Sequence, residues 1–287
     1  MEKYRIFIDL SADIDKNFAK ENNIGFIPMT YMIDDKEYIS DKICTDDELI
    51  HFYQEMKQGK VTKTSQITPF QYIEFLEEYA KNNVNILYFT LSSGLSNTYN
   101  SCLNAKDELI EKYPNFNFEV VDSRAATGGI GVLVHKAIMN MNNGMDLKTN
   151  ADNMRNAVNN IRHWFYVDDL KYLKRGGRVS GSKAFIANAL NIKPIMEVNK
   201  EGKLEAIGKK IGIRRSQNAL VEKFIENYNE SFNVVYVCHA NDIESANNVK
   251  KLLLEFNDKL EIYISNICPV IGSHAGPGTI ALCHIGK

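Results

Sequence analysis

Apolar and polar positions follow two textures along the chain. In the first half, Arg5-Ile6-Phe7-Ile8 is a short apolar run ending at Asp9, and Ile24 to Met29 is a second. Thr45 and Glu48 form a capping box, followed by Leu49, Phe52, Tyr53 and Met56 at helical spacing. Thr68 and Gln71 form another, with Pro69 at the first helical position and Tyr72, Phe75, Leu76 and Tyr79 as its apolar stripe. Val84 to Phe89 reads as a buried strand, then comes a polar turn, a helix from about Asn97 to Glu111, the strand Phe118 to Val121, and a helix from Gly129 to about Gly144. Strands separated by helices of this length predict a parallel sheet with right-handed crossovers.

After Met145 the texture changes. Residues 149–162 read as a polar helix, and Pro194 to Asn199, a turn at Gly202 and Leu204 onward read as a hairpin. A helix from about Ser216, the strand Val234 to Cys238, a helix over 242–255, and strands over 260–264 and 279–284 complete the chain. A hairpin among helix-crossed strands predicts a mixed sheet. The expectation is an α/β protein of two domains, 1–160 Rossmann-like with a parallel sheet and 161–287 two-layered with a mixed one. The length of 287 residues agrees with two domains.

Charge removes some functions. Thirty-four Lys plus Arg against 36 Asp plus Glu leave a net charge of -2, so there is no global drive toward nucleic acid. No apolar run approaches the roughly 20 residues of a membrane helix, and the N-terminus lacks a leader pattern, which places the expectation in the cytoplasm. The five Cys are widely spaced without a C-x-x-C pair, and the six His lack ligand spacing, so neither a metal nor a disulfide framework is expected. No phosphate loop, dinucleotide fingerprint or nucleophile elbow occurs, and no cofactor is expected.

Four segments hold polar and glycine residues that a core does not need. Thr62 to Gln66 and Thr90 to Thr98 are hydroxyl-rich turns that each precede a helix, a place receptive to a carboxylate or phosphate. The same Ser and Thr also serve as ordinary caps. Lys174 to Ser180 reads as a flexible basic loop before a helix, and Gly272 to Gly278 as a glycine-rich loop holding His274.

In that order, and with Asp9-Leu10-Ser11-Ala12-Asp13 and Val121-Asp122-Ser123, these segments resemble the DegV family of bacterial fatty-acid-binding proteins. Departures are Asn97, where the family commonly has Gly, and Ile67, where Pro often follows the Gln. The resemblance implies a two-domain carrier that encloses one long-chain fatty acid. In the members called FakB, the carboxylate is presented to a separate ATP-dependent kinase, FakA, and the acyl phosphate feeds phospholipid synthesis. It also implies Thr64, Ser93 and His274 as head-group ligands, with Ser65, Ser92 and Ser96 as second choices, all of them uncharged donors. Arg175 and Arg178, and further on Lys209, Lys210, Arg214 and Arg215, are candidates for kinase docking or phosphoryl contact, or form a solvated face. Phe185, Ile186, Ile192 and Met196 are candidates for the tail. No integral membrane segment is expected, and a transient membrane contact stays open. Two alternatives stand beside this reading: a lipid ester hydrolase with Ser93 as nucleophile, His274 as base and Asp122 as orienter, and a fatty-acid sensor or transporter without a kinase.

Overall fold

A computed structural model describes residues 4–179 and 191–287. Ser180, Phe185 and Ile186 lie outside the described residues, as does the helix expected after the basic segment.

The first apolar runs form β1 (Tyr4–Asp9) and β2 (Gly25–Ile27), the latter reached through α1 (Lys16–Glu21). With β6 (Asn85–Thr90) and β7 (Phe118–Asp122) they make a four-stranded parallel sheet of order β2-β1-β6-β7. Every residue of β6 is buried, as a parallel strand covered on both faces requires. The capping boxes open α2 (Asp46–Lys57) and α3 (Pro69–Lys81). α3 packs with α4 (Thr98–Lys112) beneath one face of the sheet.

The run Ile24 to Met29 does not stay one strand. Met29 starts β3 (Met29–Ile33), which pairs antiparallel with β4 (Lys36–Ser40) and with β5 (Thr62–Ser65) in a separate three-stranded sheet. Thr62 to Gln66, expected as a turn, is therefore mostly strand. β5 is polar because its only cross-strand neighbour is β3 and three of its four residues are not buried.

The other face of the parallel sheet meets α5 (Gly128–Asn142) and α6 (Leu147–Ala157). α5 is buried from Gly128 through His135, a helix apolar all round because it lies between two sheets. The second sheet is mixed and six-stranded. It comprises β8 (Ile161–Tyr166), β9 (Ile192–Val198), β10 (Leu204–Ile211), β11 (Val234–His239), β12 (Glu261–Asn266) and β13 (Ile280–Ile285), in the order β10-β9-β8-β13-β11-β12. β11 and β12 are parallel and the other pairs antiparallel. α8 (Ile213–Asn227) and α9 (Ile243–Phe256) cover its far face, packing Leu220, Phe224, Val249 and Leu253 against Trp164, Val235 and Leu282.

Two segments read as loops are helices. Lys171–Gly176 forms α7, closed by Gly177 in the left-handed conformation at φ 68°. Pro269–Ala275 forms α10, so His274 stands in a last helical turn rather than in a loop. In both, packing overrides glycine: Tyr172 and Leu173 of α7, and Val270, Gly272 and Ser273 of α10, are buried where the two helices meet.

Candidate functional site

The two halves close on each other through hydrogen bonds far apart in sequence. Tyr53 donates to the Ile267 carbonyl at 2.8 Å, Thr62 to the Ser273 carbonyl at 3.2 Å, and the Cys268 amide to Asp13 at 2.9 Å. Ser92 donates to the Gly202 carbonyl at 2.7 Å, which docks the β9–β10 turn on the turn after β6. Gly94 permits that approach, because a Cβ there would lie 2.6 Å from the same carbonyl.

The turn after β6 is ordered from beneath by Asp9. Its buried carboxylate accepts from the Leu91 amide at 2.8 Å, from Tyr88 at 3.1 Å and from the amide and hydroxyl of Ser11. Burial raises its pKa, and these donors oppose the rise.

Around this seam lies a cavity of about 750 Å3, open mouth included. Most of its wall is apolar: Met29, Leu91, Leu95, Phe165, Leu173 and Leu204 face Val270, Ile271 and Ala281. Polar side chains gather where β5 meets α10. Thr64 Oγ1 and His274 Nε2 are 2.7 Å apart, with Ser65, Gln66, Ser96 and Arg178 in the same wall. Ser65 and Gln66 are exposed, so this end opens to solvent. Ser96 shares a hydrogen bond of 2.8 Å with Thr98, at the start of α4.

Burial holds His274 neutral, its pKa pushed down to about 4, with Arg178 and Arg175 adding repulsion. Among the described residues its Nδ1 is buried without a partner. Arg178 reaches the carbonyls of Leu95 at 3.3 Å and Gly176 at 2.5 Å, while Arg175 donates to Thr62 at 3.2 Å and lies over the Tyr172 ring. A guanidinium, that of Arg178, thus stands in the same wall as these uncharged groups.

The structure thus brings Thr64, Ser65, Ser96 and His274 to one cavity and leaves two candidates outside it. Ser92 is held by Gly202. Ser93 is exposed and donates to Asp122 at 2.5 Å, and its amide bonds the other carboxylate oxygen at 3.0 Å. His274 bonds Thr64 rather than Ser93, so the hydrolase arrangement is not assembled. Arg214 and Arg215 are exposed at the start of α8, and Lys209 and Lys210 are exposed on β10, none of them in the cavity wall. Met196 is buried in the core and Ile192 is half-buried, and neither lines the cavity. The apolar lining and three polar members, Thr127, His163 and Thr279, were not foreseen. Leu91 and Leu95, which flank the serines, were the available signal.

The fold and cavity describe a two-part α/β binding protein. A family model described as "Uncharacterised protein, DegV family" matches residues 3–287, and the chain belongs to that family. A DegV domain-containing protein of Clostridium perfringens is 38% identical, the alignment covering 100% of this chain and 98% of that one. The fatty acid binding DegV family protein SAG1342 of Streptococcus agalactiae superposes with a TM-score of 0.85 at 25% identity, over 99% of this chain and 98% of that one. The Fatty Acid Kinase (Fak) B3 protein of Streptococcus pneumoniae, loaded with linoleic acid, gives 0.86 at 19% identity, over 99% and 100%, a likeness of fold. Among the described residues no helix is long and apolar enough to cross a membrane, and no group of metal-ligating side chains gathers.

Proposed function

We propose that this chain binds a long-chain fatty acid, with its carboxylate at Thr64, His274 and Ser96 and its tail along the apolar wall. The carrying observation is the single cavity that joins the Thr64–His274 pair to that wall. The fatty acid bound by the Streptococcus agalactiae relative supports the same reading. Burying about sixteen carbons at about 0.8 kcal/mol per methylene contributes on the order of 10 kcal/mol. The carboxylate opposes this, since a desolvated charge costs several kcal/mol unless it is hydrogen-bonded. Two hydroxyls, an imidazole N–H and the nearby guanidinium of Arg178 offset that cost. Ser96 takes the place first expected for Ser93, whose hydroxyl is committed to Asp122.

The protein acts in the cytoplasm as a carrier, holding the acid for a separate ATP-dependent kinase that phosphorylates its carboxylate for phospholipid synthesis. The sequence lacks a phosphate loop of its own, and the head lies at the open end of the cavity, where a second protein can reach it. Arg175 and Arg178 stand near enough to meet a transferring phosphoryl group, and Arg214 and Arg215 offer an exposed docking face. Native mass spectrometry of the purified protein, followed by organic extraction, tests the binding step. A co-purified fatty acid is expected. An empty protein whose melting temperature no fatty acid raises would refute it.

A further inference from the structure

Away from its mouth, the cavity wall is interrupted by polar groups at one place. His163 on β8 and Thr127, which precedes α5, both line it. They are 5% and 3% exposed; among the described residues His163 Nδ1 has no hydrogen-bond partner, and Thr127 Oγ1 meets only the sulfurs of Cys238 and Cys283. Buried polar groups in folded proteins are nearly always paired, so an orphaned nitrogen and a hydroxyl held only by sulfur in one wall point to something that pairs them. The neighbours of Thr127 do not suffice: the Cys238 and Cys283 thiols beside it are weak donors, kept protonated by burial.

Strand register gives their depth. On β8, His163 and Phe165 face the same side, opposite Cys283 and Ala281 of β13. Thr279, just before β13, donates to the Ala275 carbonyl at 3.0 Å, next to His274. His163 is level with Cys283, four residues beyond Thr279, or about 13 Å at the rise of an extended strand. An extended acyl chain covers that distance in about ten carbons at ordinary bond lengths.

The chemistry narrows the class. A second carboxylate at this depth would meet neutral groups only, because burial pushes the pKa of His163 down to about 4 and Arg178 is engaged at the mouth. A hydroxyl or keto oxygen carries no such penalty. An imidazole nitrogen and a hydroxyl can each donate to it, and either can accept from a hydroxyl.

Resting on the fatty-acid reading above, we propose that the preferred ligand carries a hydroxyl or keto oxygen near mid-chain, received by His163 Nδ1 and Thr127 Oγ1. A bound water is the competing occupant, and calorimetry separates the two. Delipidated wild type, H163L and T127V are titrated with stearic acid, a mid-chain hydroxystearic acid and the alpha-hydroxy isomer. In wild type the mid-chain hydroxy acid binds at least as tightly as stearic acid. That affinity ratio falls about tenfold in H163L and several-fold in T127V, as for the loss of one buried hydrogen bond. The ratio for the alpha-hydroxy isomer stays put. T127V serves if H163L fails to fold. Rejection of the mid-chain hydroxy acid by tenfold or more in wild type, or a ratio indifferent to both variants, assigns the site to water and overturns the proposal. Failure of every acid to bind would remove the fatty-acid reading itself, and this one with it.

Discussion

A methyl group at residue 176 should disable the head site without removing any polar atom from it. An ideal Cβ on Gly176 would lie 2.1 Å from His274 Nδ1 and 3.0 Å from its Cε1. Ordinary contact begins near 3.4 Å, so the ring must retreat by about 1.3 Å. It cannot slide straight back, because Thr64 Oγ1 already stands 2.7 Å from Nε2. The ring therefore swings aside and the Thr64–His274 pair breaks. Gly176→Ala is expected to lower fatty-acid affinity about tenfold or more, with an overpacking cost of about 1–3 kcal/mol in stability. Helix propensity opposes that cost by up to about 1 kcal/mol, since Gly176 ends α7. Gly177→Ala is the control. Its φ of 68° makes a side chain unwelcome, yet nothing lies within 4 Å of the added Cβ. It should cost about 1 kcal/mol of stability and leave affinity near wild type. Titration of both variants with one acid, paired with thermal melts, checks the pair. A stabilised Gly176→Ala that binds like wild type would refute the reasoning.

Two other perturbations separate the readings of the site. Ser96→Ala should weaken fatty-acid binding about tenfold, whereas Ser93→Ala should only loosen its turn by about 1 kcal/mol through the lost Asp122 bond; calorimetry in which Ser93 matters and Ser96 does not would reverse the assignment. Acid should destabilise the fold below pH 6.5. Burial lowers His274 and His163 to about 4, and His135 and His284 to about 3, from 6.5. The unfolded chain takes up these protons first, so each neutral histidine's contribution is lost as pH falls from 6.5 toward its folded value, about 3 kcal/mol each for His274 and His163 and about 5 kcal/mol each for His135 and His284. Asp13 acts oppositely. Raised by burial from 3.8 to about 7, it takes up its proton in the folded state and adds stability as pH falls from 7 to 3.8. Asp9, also raised by burial, acts in the same direction as Asp13. The four histidines outweigh these two carboxyls, so melting temperature against pH should fall steeply between 6.5 and 4; a flat profile would contradict the buried neutral state.

Legibility in the sequence followed the range of the forces involved. Both capping boxes were readable because their bonds close within three residues. The parallel strands were readable because burial on both faces demands continuous apolar runs. The three-stranded sheet was not, because Thr62 to Ser65 spells a turn composition and becomes a strand only when Tyr31 lies opposite Thr64. Glycine misled at Gly176 and at Gly272, where small size serves close packing against His274 and Tyr53 rather than a flexible loop. Thr64 and His274, both named as head-group candidates, stand 2.7 Å apart although 210 residues separate them. That choice came from the family's ordered motifs, since spacing holds no information about a contact of such range. Among three serines within five residues, composition did not distinguish the one that faces inward. Gly202 engages Ser92, Asp122 engages Ser93 and Thr98 engages Ser96, and of the three it is Ser96 that lines the cavity.

The proposed function sets opposed demands, to keep a tail dry yet surrender its head, and the placement of the cavity at the seam is suited to both. Its apolar wall is taken from the first half at Met29, Leu91 and Leu95 and from the second at Phe165, Leu173, Val270 and Ala281. Neither half alone encloses a tail. The head groups, in contrast, sit at the rim: β5 ends in exposed Ser65, and α10 presents His274 from its last turn. The cations reinforce the division. Arg178 lies outside the Thr64–His274 bond and spends two of its donors on backbone carbonyls, so it lends positive potential without a bidentate grip on a carboxylate. Under the proposed function, a carboxylate held by neutral donors beside an indirect charge is stabilised enough to stay, while its oxygens remain free to attack an incoming phosphoryl group.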